Sequence, residues 1–136
     1  MKRRQFLALA GGGVVLAAGG GATAWFSTRT PERALAPWKT AAEDRYADVR
    51  LHALSYAILA PNPHNRQPWI ADVRTSGEVT LRVDTDRMLP HTDPFNRQIT
   101  IGLGCFLELM TMAAAERGVA VTLELFPDGE DPARLT

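Results

Sequence analysis

Nine consecutive residues carry a pattern suited to ligand chemistry: Pro61-Asn62-Pro63-His64-Asn65-Arg66-Gln67-Pro68-Trp69. Three prolines fix φ at their own positions, remove three backbone donors and push the preceding residues towards extended conformations. The loop therefore reads as a stiff rim. Asn62, His64, Asn65 and Gln67 place donors and acceptors along it, because amide and imidazole groups can do both. Convergent amides on a rigid loop suit a flat polar heterocycle.

The flanking patterns say what must hold this rim. Thr40-Ala41-Ala42-Glu43 reads as a capping box, and Tyr46, Val49, Ala53, Tyr56 or Ala57, and Ala60 follow at helical spacing. Leu51, Leu54 and Ile58 widen the apolar face, so the helix is expected to be buried on more than one side and to end at Pro61. After Trp69 the period becomes two. Ile70 to Arg74 and Val79 to Asp84 read as strands joined by Thr75-Ser76-Gly77-Glu78, with Gly77 supplying a positive φ. Residues 85–97, with Pro90 and Pro94, read as an ordered loop. From Gln98 a second helix carries the stripe Ile99, Leu103, Phe106, Met110 and Ala113 or Ala114. Gly102 and Gly104 allow close approach of another backbone, and Gly118 is placed to stop the helix in the left-handed conformation. Val119 to Phe126 alternates as a strand, and Pro127-Asp128-Gly129 reads as a turn. The fold class is α+β, built in helix and sheet layers.

The segment Ala60 to Trp69 resembles the Asn-x-Gln-Pro-Trp loop of the nitroreductase-like flavoprotein superfamily. Its specificity lies in a contiguous ten-residue match placed between a helix and a strand. Arg87-Met88-Leu89-Pro90-His91-Thr92-Asp93-Pro94-Phe95-Asn96-Arg97-Gln98 resembles a branch whose members are longer than simple nitroreductases. Residues 41–125 carry the likeness. The resemblance implies an FMN site shared across a homodimer interface, with Asn65 and Gln67 at the family-matching positions and Asn62, Pro63 and His64 near the ring. Arg66 and Arg97 are candidates for the flavin phosphate, since guanidinium binds phosphate bidentately. Simple nitroreductases carry an Arg-x-Ser or Arg-Arg-Ser stretch ahead of the first helix for that purpose; here the region is Leu35-Ala36-Pro37-Trp38-Lys39-Thr40, where Lys39 and Thr40 are the available substitutes. Family members continue well beyond residue 136, so residues 40–136 are expected to be the N-terminal part of such a domain, with the fold incomplete. Trp69 is expected in the core at the loop's exit.

The first 26 residues are a different kind of segment. Lys2-Arg3-Arg4-Gln5-Phe6-Leu7 resembles a twin-arginine export signal, and no charge follows until Arg29. Six glycines between Leu7 and Phe26 make this a mild apolar run. Ala22-Thr23-Ala24 fits a cleavage site, with an uncleaved membrane anchor as the alternative. Residues 27–39 read as a linker. The twin-arginine machinery carries folded, often cofactor-loaded cargo, which suits a tightly held flavin. Export would put the protein in the periplasm or outside the cell, or on the membrane if the signal is uncleaved.

In 136 residues with zero formal net charge, 22% charged and 46% apolar, nothing points to nucleic acid. Removal of residues 1–24 would leave acidic residues in excess by three. Cys105, the single cysteine, excludes an internal disulfide and reads as a small buried hydrophobe. His52, His64 and His91 are too scattered for a metal spacing, so no metal is expected. Asp84-x-Asp86 lacks the glycine and glutamate of a calcium loop, and Gly102 and Gly104 follow no strand as a dinucleotide fingerprint would require. No nucleophile, base and orienter set is visible. The resemblance thus implies an exported FMN-dependent oxidoreductase using hydride transfer to a nitro or quinone-like small-molecule acceptor. NAD(P)H is the family's donor, although an exported enzyme has no free nicotinamide pool. The alternatives are a flavin-binding or flavin-sequestering protein without catalysis, and a truncated inactive remnant.

Overall fold

The computed structural model describes residues 2–127 and residue 129, without the side chain of Ala42. The chain divides into two compact units, Met1–Ala36 and Pro37–Thr136. The first contains α1, Arg3–Thr28, a continuous helix in which no residue is buried. Its 26 residues span about 39 Å at 1.5 Å per residue, against roughly 30 Å for a bilayer's hydrocarbon core. By length and composition it can cross a membrane.

The presumed linker is largely helical: α2 runs Glu32–Ala42, with Pro37 inside it. Thr40 consequently lies within a helix and does not begin one. The expected capping box at Thr40 and Glu43 is replaced by a stop. Glu43 N–H donates to Lys39 and Thr40 carbonyls, and Asp44 turns the chain with φ +46°. The next helix, α3, is Val49–Ala57. Its cap is Asp48, in an extended conformation, whose carboxylate accepts from Arg50 N–H at 2.9 Å. This is the usual solution for an orphan donor at a helix start. At the other end, Leu59 N–H to Tyr56 O and Ala60 N–H to Ala57 O tighten the last turn before Pro61.

Helix α4, Arg97–Glu116, is the spine of the second unit. Ile99 and Phe106 are fully enclosed, and Met110, Ala113 and Ala114 are buried beside them, as their spacing predicts. Phe106, Met110, Ala113 and Ala114 share one core cluster with Ala53, Ala57 and Ala60. Three alanines on the facing side allow the two helices a close approach, and the large side chains of α4 fill the space. His52 and Ser55 are buried as well as Ala53 and Ala57, so α3 is covered on more than one side, but Leu51 and Ile58, expected to widen the buried face, are exposed. Cys105 is half-buried against this core and unbridged.

Strands β1, Trp69–Asp72, and β2, Thr80–Val83, form an antiparallel hairpin with Trp69 opposite Val83 and Asp72 opposite Thr80. Gly77 sits at φ +77° in the turn, as expected. Arg50 of α3 clamps this connection: its Nη1 donates to Val73 O at 2.9 Å and Thr75 O at 2.6 Å. The architecture is therefore mixed helix with a small antiparallel sheet, an α+β arrangement.

Past α4, Gly118 takes φ +71°, Gly118 N–H donates to Ala115 O and Val119 N–H to Ala114 O. This pair of bonds is a Schellman stop. The strand expected over Val119 to Phe126 does not form. Those residues are irregular and exposed, because a strand needs a ladder partner and none lies beside them among the described residues. Of the turn at residues 127–129, Asp128 lies outside the described residues, as do residues 130–136.

Candidate functional site

The Pro61 to Trp69 loop is docked on α4 at a glycine. A Cβ placed on Gly102 would lie 3.4 Å from Asn62 Cβ and 3.5 Å from Pro61 O. Gly102 is buried, and it lets the loop backbone approach the helix closely. Gly104, paired with it in sequence, has open space around it.

Asn62 closes the loop internally. Its Nδ2 donates to Ala60 O at 3.1 Å, and its Oδ1 accepts from Gln67 N–H at 2.8 Å. Between these anchors Pro63–Asn65 makes a 3-10 turn, with Asn65 N–H on Asn62 O and Arg66 N–H on Pro63 O. The backbone is unusual here: His64, Asn65 and Gln67 have φ of +52°, +52° and +50°. Asn and His tolerate the left-handed region better than most residues, whereas Gln pays its steric cost, about 1 kcal/mol or more.

That conformation leaves the side chains of His64, Asn65 and Gln67 exposed while Pro68 is fully buried behind them. Gln67 Nε2 donates to Asn65 Oδ1 at 3.3 Å. Asn65 Nδ2 and Gln67 Oε1 then have no hydrogen bond among the described residues, so a donor and an acceptor stand side by side on the loop. Pro63 is half-buried next to them. Trp69 leaves the loop into the core, its ring 5.0 Å from that of Phe106, which agrees with the core position expected for it.

The two basic candidates differ. Arg66 is engaged with the neighbouring loop: Nε donates to Arg87 O and Nη2 to Asp86 O, both at 3.1 Å. Arg87 returns the bond, Nη1 donating to Arg66 O at 3.2 Å. Arg66 thus staples two loops together and is not held ready for a phosphate. Arg97 is exposed at the first position of α4. The loop before it is pinned by Asp93, a buried carboxylate that accepts from Ile99 N–H at 3.0 Å and so caps α4 from six residues upstream. Asn96, the residue at the helix boundary, adopts φ +56° and makes no side-chain cap. Sequence spacing did not reveal this remote cap.

A second polar cluster escaped the sequence reading. Asp44, in the turn between α2 and α3, meets His52 Nδ1 at 3.0 Å and is ion-paired with Arg117 after α4. Arg117 also donates to Tyr46 O at 3.3 Å. The Arg117 guanidinium bonded to the Asp44 carboxylate holds that acid below its ordinary range. His52 is buried, its ring 5.2 Å from that of Tyr56. No sequence signal marked it, since His52 falls beside the apolar stripe of α3 and its partners are distant in the chain. No cluster of three or more metal-ligating side chains exists among the described residues.

Comparison with known proteins gives a partial relationship. No family model matches the chain, and no solved structure matches it significantly. Over 90 residues, 65% of this chain, it is 39% identical to the protein named "Putative NAD(P)H nitroreductase acg" of Mycobacterium tuberculosis (strain ATCC 25618 / H37Rv), covering 26% of that protein. A second protein of that strain, also named as an NAD(P)H nitroreductase, is 36% identical over 83 residues, 60% of this chain and 24% of its own length. The chain spans about a quarter of the length of these curated relatives. At family level, this relationship supports the nitroreductase-like resemblance carried by the Pro61 to Trp69 loop.

Proposed function

We propose that this chain is the loop-bearing part of an FMN-dependent oxidoreductase of nitroreductase type, reducing a nitro or quinone-like small molecule. The observation that carries the reading is the left-handed backbone of His64, Asn65 and Gln67, which presents an open amide donor and acceptor beside Pro63. Backbone strain of this kind costs stability and accompanies ligand sites. The donor set fits the pyrimidine edge of a flavin, which offers both carbonyl oxygens and an N–H.

In this reading Asn65 and Gln67 make the polar contacts, His64 and Pro63 border the ring, and Asn62 holds the loop in shape from within. Arg97 is the guanidinium that remains exposed for the phosphate. FMN when bound supplies hydride transfer through its N5, with NAD(P)H as a donor consistent with the names of the relatives. The protein's own part is to orient the ring and exclude alternative geometries. Exposed Phe95, Ile101 and Leu125 offer apolar surface for the homodimer that the family resemblance implies. Lys2 to Phe26 is read as a twin-arginine-type signal or retained anchor, placing the protein outside the cytoplasm or on the membrane.

The test is the visible absorption spectrum of the purified chain expressed with FMN in excess, beside Asn65→Ala/Gln67→Ala. Stoichiometric flavin bands in the parent, reduced at least tenfold in the double variant, are expected. A folded parent without flavin, or equal flavin in both, overturns the reading.

A further inference from the structure

A cleft of about 510 Å³ lies at the far end of the helix pair, with Asp44, His52, Tyr56, Met112, Glu116 and Arg117 in its lining. Gly102, where the Pro61 to Trp69 loop docks, and Arg117 are fifteen residues apart along α4, about 22 Å at the helical rise. The two places are separate.

The chemistry of the cleft follows from one imidazole. His52 is 5% exposed, and its Nδ1 is 3.0 Å from the Asp44 carboxylate but 3.4 Å from Arg117 Nη2. A ring nitrogen that close to a carboxylate is placed to donate to it, and in the tautomer with the proton on Nδ1 the lone pair lies on Nε2. Among the described residues Nε2 has no hydrogen-bond partner, and it is not a sealed buried atom. His52 lines the cleft, and in that tautomer it offers an unpartnered acceptor on a nearly buried ring that Asp44 orients.

The walls limit what can reach it. Tyr56, Leu109, Met112 and Ala113 form an apolar slot beside the imidazole. Among the described residues Arg117 is the only arginine or lysine in the lining, and Asp44 and Tyr46 O already engage it. Glu116 remains as a negative charge at the rim, which disfavours anions. We propose that this cleft binds a neutral single-ring aromatic compound bearing a hydroxyl, of the phenol class, with the hydroxyl donating to His52 Nε2 and the ring lying against Tyr56 and Met112. The proposal does not rest on flavin binding.

The experiment uses the full chain in detergent micelles, labelled with ¹⁵N-histidine and titrated with phenol, with benzoate as the anionic control. Phenol is expected to shift His52 Nε2 saturably, with a dissociation constant on the order of 1 mM, the weak affinity appropriate to so few heavy atoms; benzoate is expected to leave it unmoved. His52→Gln removes the acceptor nitrogen but alters a buried position. Met112→Trp changes a side chain that is 56% exposed, fills the slot without touching the core, and is expected to weaken phenol at least tenfold. An unmoved Nε2 in the parent, equal binding of benzoate, or full phenol affinity in a folded Met112→Trp protein overturns the proposal.

Discussion

Single backbone angles separate what Gln67 costs from what it contributes. A non-glycine residue at φ +50° carries roughly 1–2 kcal/mol of steric cost, and glycine at the same place would offset part of that with a larger entropy loss on folding. Gln67→Gly keeps the backbone N–H that Asn62 Oδ1 accepts. It is therefore expected to raise stability by up to about 1 kcal/mol in chemical denaturation while reducing retained flavin. Stability and flavin content rising together would show that the Gln67 side chain has no part in the site. The sequence displayed the residue types of this loop but not their angles, because prolines restrict neighbours statistically while the left-handed turn is imposed by Asn62 bonding both Ala60 and Gln67.

The elements are joined by a few specific fits. Gly102 leaves just enough room for Asn62 and Pro61. Gly102→Leu would drive a branched side chain into loop backbone, and overpacking of this kind costs about 1–3 kcal/mol. The expected result is a lower unfolding midpoint with loss of loop order, read from the line widths of the His64 and Asn65 amides. Unchanged amide signals would mean that the loop does not depend on this contact. Asp48 caps α3 and also pairs with Arg50, whose guanidinium holds the hairpin turn. Asp48→Ala is expected to cost about 1 kcal/mol, the usual value of an N-cap, measured by urea denaturation; a loss of a few tenths or less would mean that Arg50 alone secures the junction. The α4 stripe and the hairpin were legible in the sequence because each repeats over many residues or is marked by a glycine. The break at Asp44 was not, since a capping-box pattern at Thr40 competes locally with a true cap at Asp48.

Across the whole molecule, exposed ion pairs set the response to acid. The Arg74 guanidinium bonded to Asp72 holds its carboxyl down at about 2, and Arg117 and Arg50 hold Asp44 and Asp48 respectively below the ordinary aspartate range. Carboxylates depressed in the folded state contribute stability that is fully present above the unfolded value and lost as pH falls through the folded one. Stability should therefore decline as pH drops from about 3.8 towards about 2, and the decline should shrink in Asp44→Asn or at high salt, since these pairs face solvent. A denaturation midpoint that keeps the same acid slope in both conditions would remove these pairs from the account.

The local features follow from the chain alone: an apolar run at the start, the α4 stripe ending at Gly118, the hairpin about Gly77, and a proline-rich polar loop between helix and strand. Composition, periodicity and turn chemistry act over a few residues, so they are written in the chain. That Asn62 meets Gly102, that Asp93 caps α4, that Arg66 is engaged by the neighbouring loop, and that Asp44, His52 and Arg117 share one cleft emerges only on folding. These pairings join residues from different elements. Residues 119–126 show the same limit, since their alternation is a local property while forming a strand requires hydrogen bonds from a second segment.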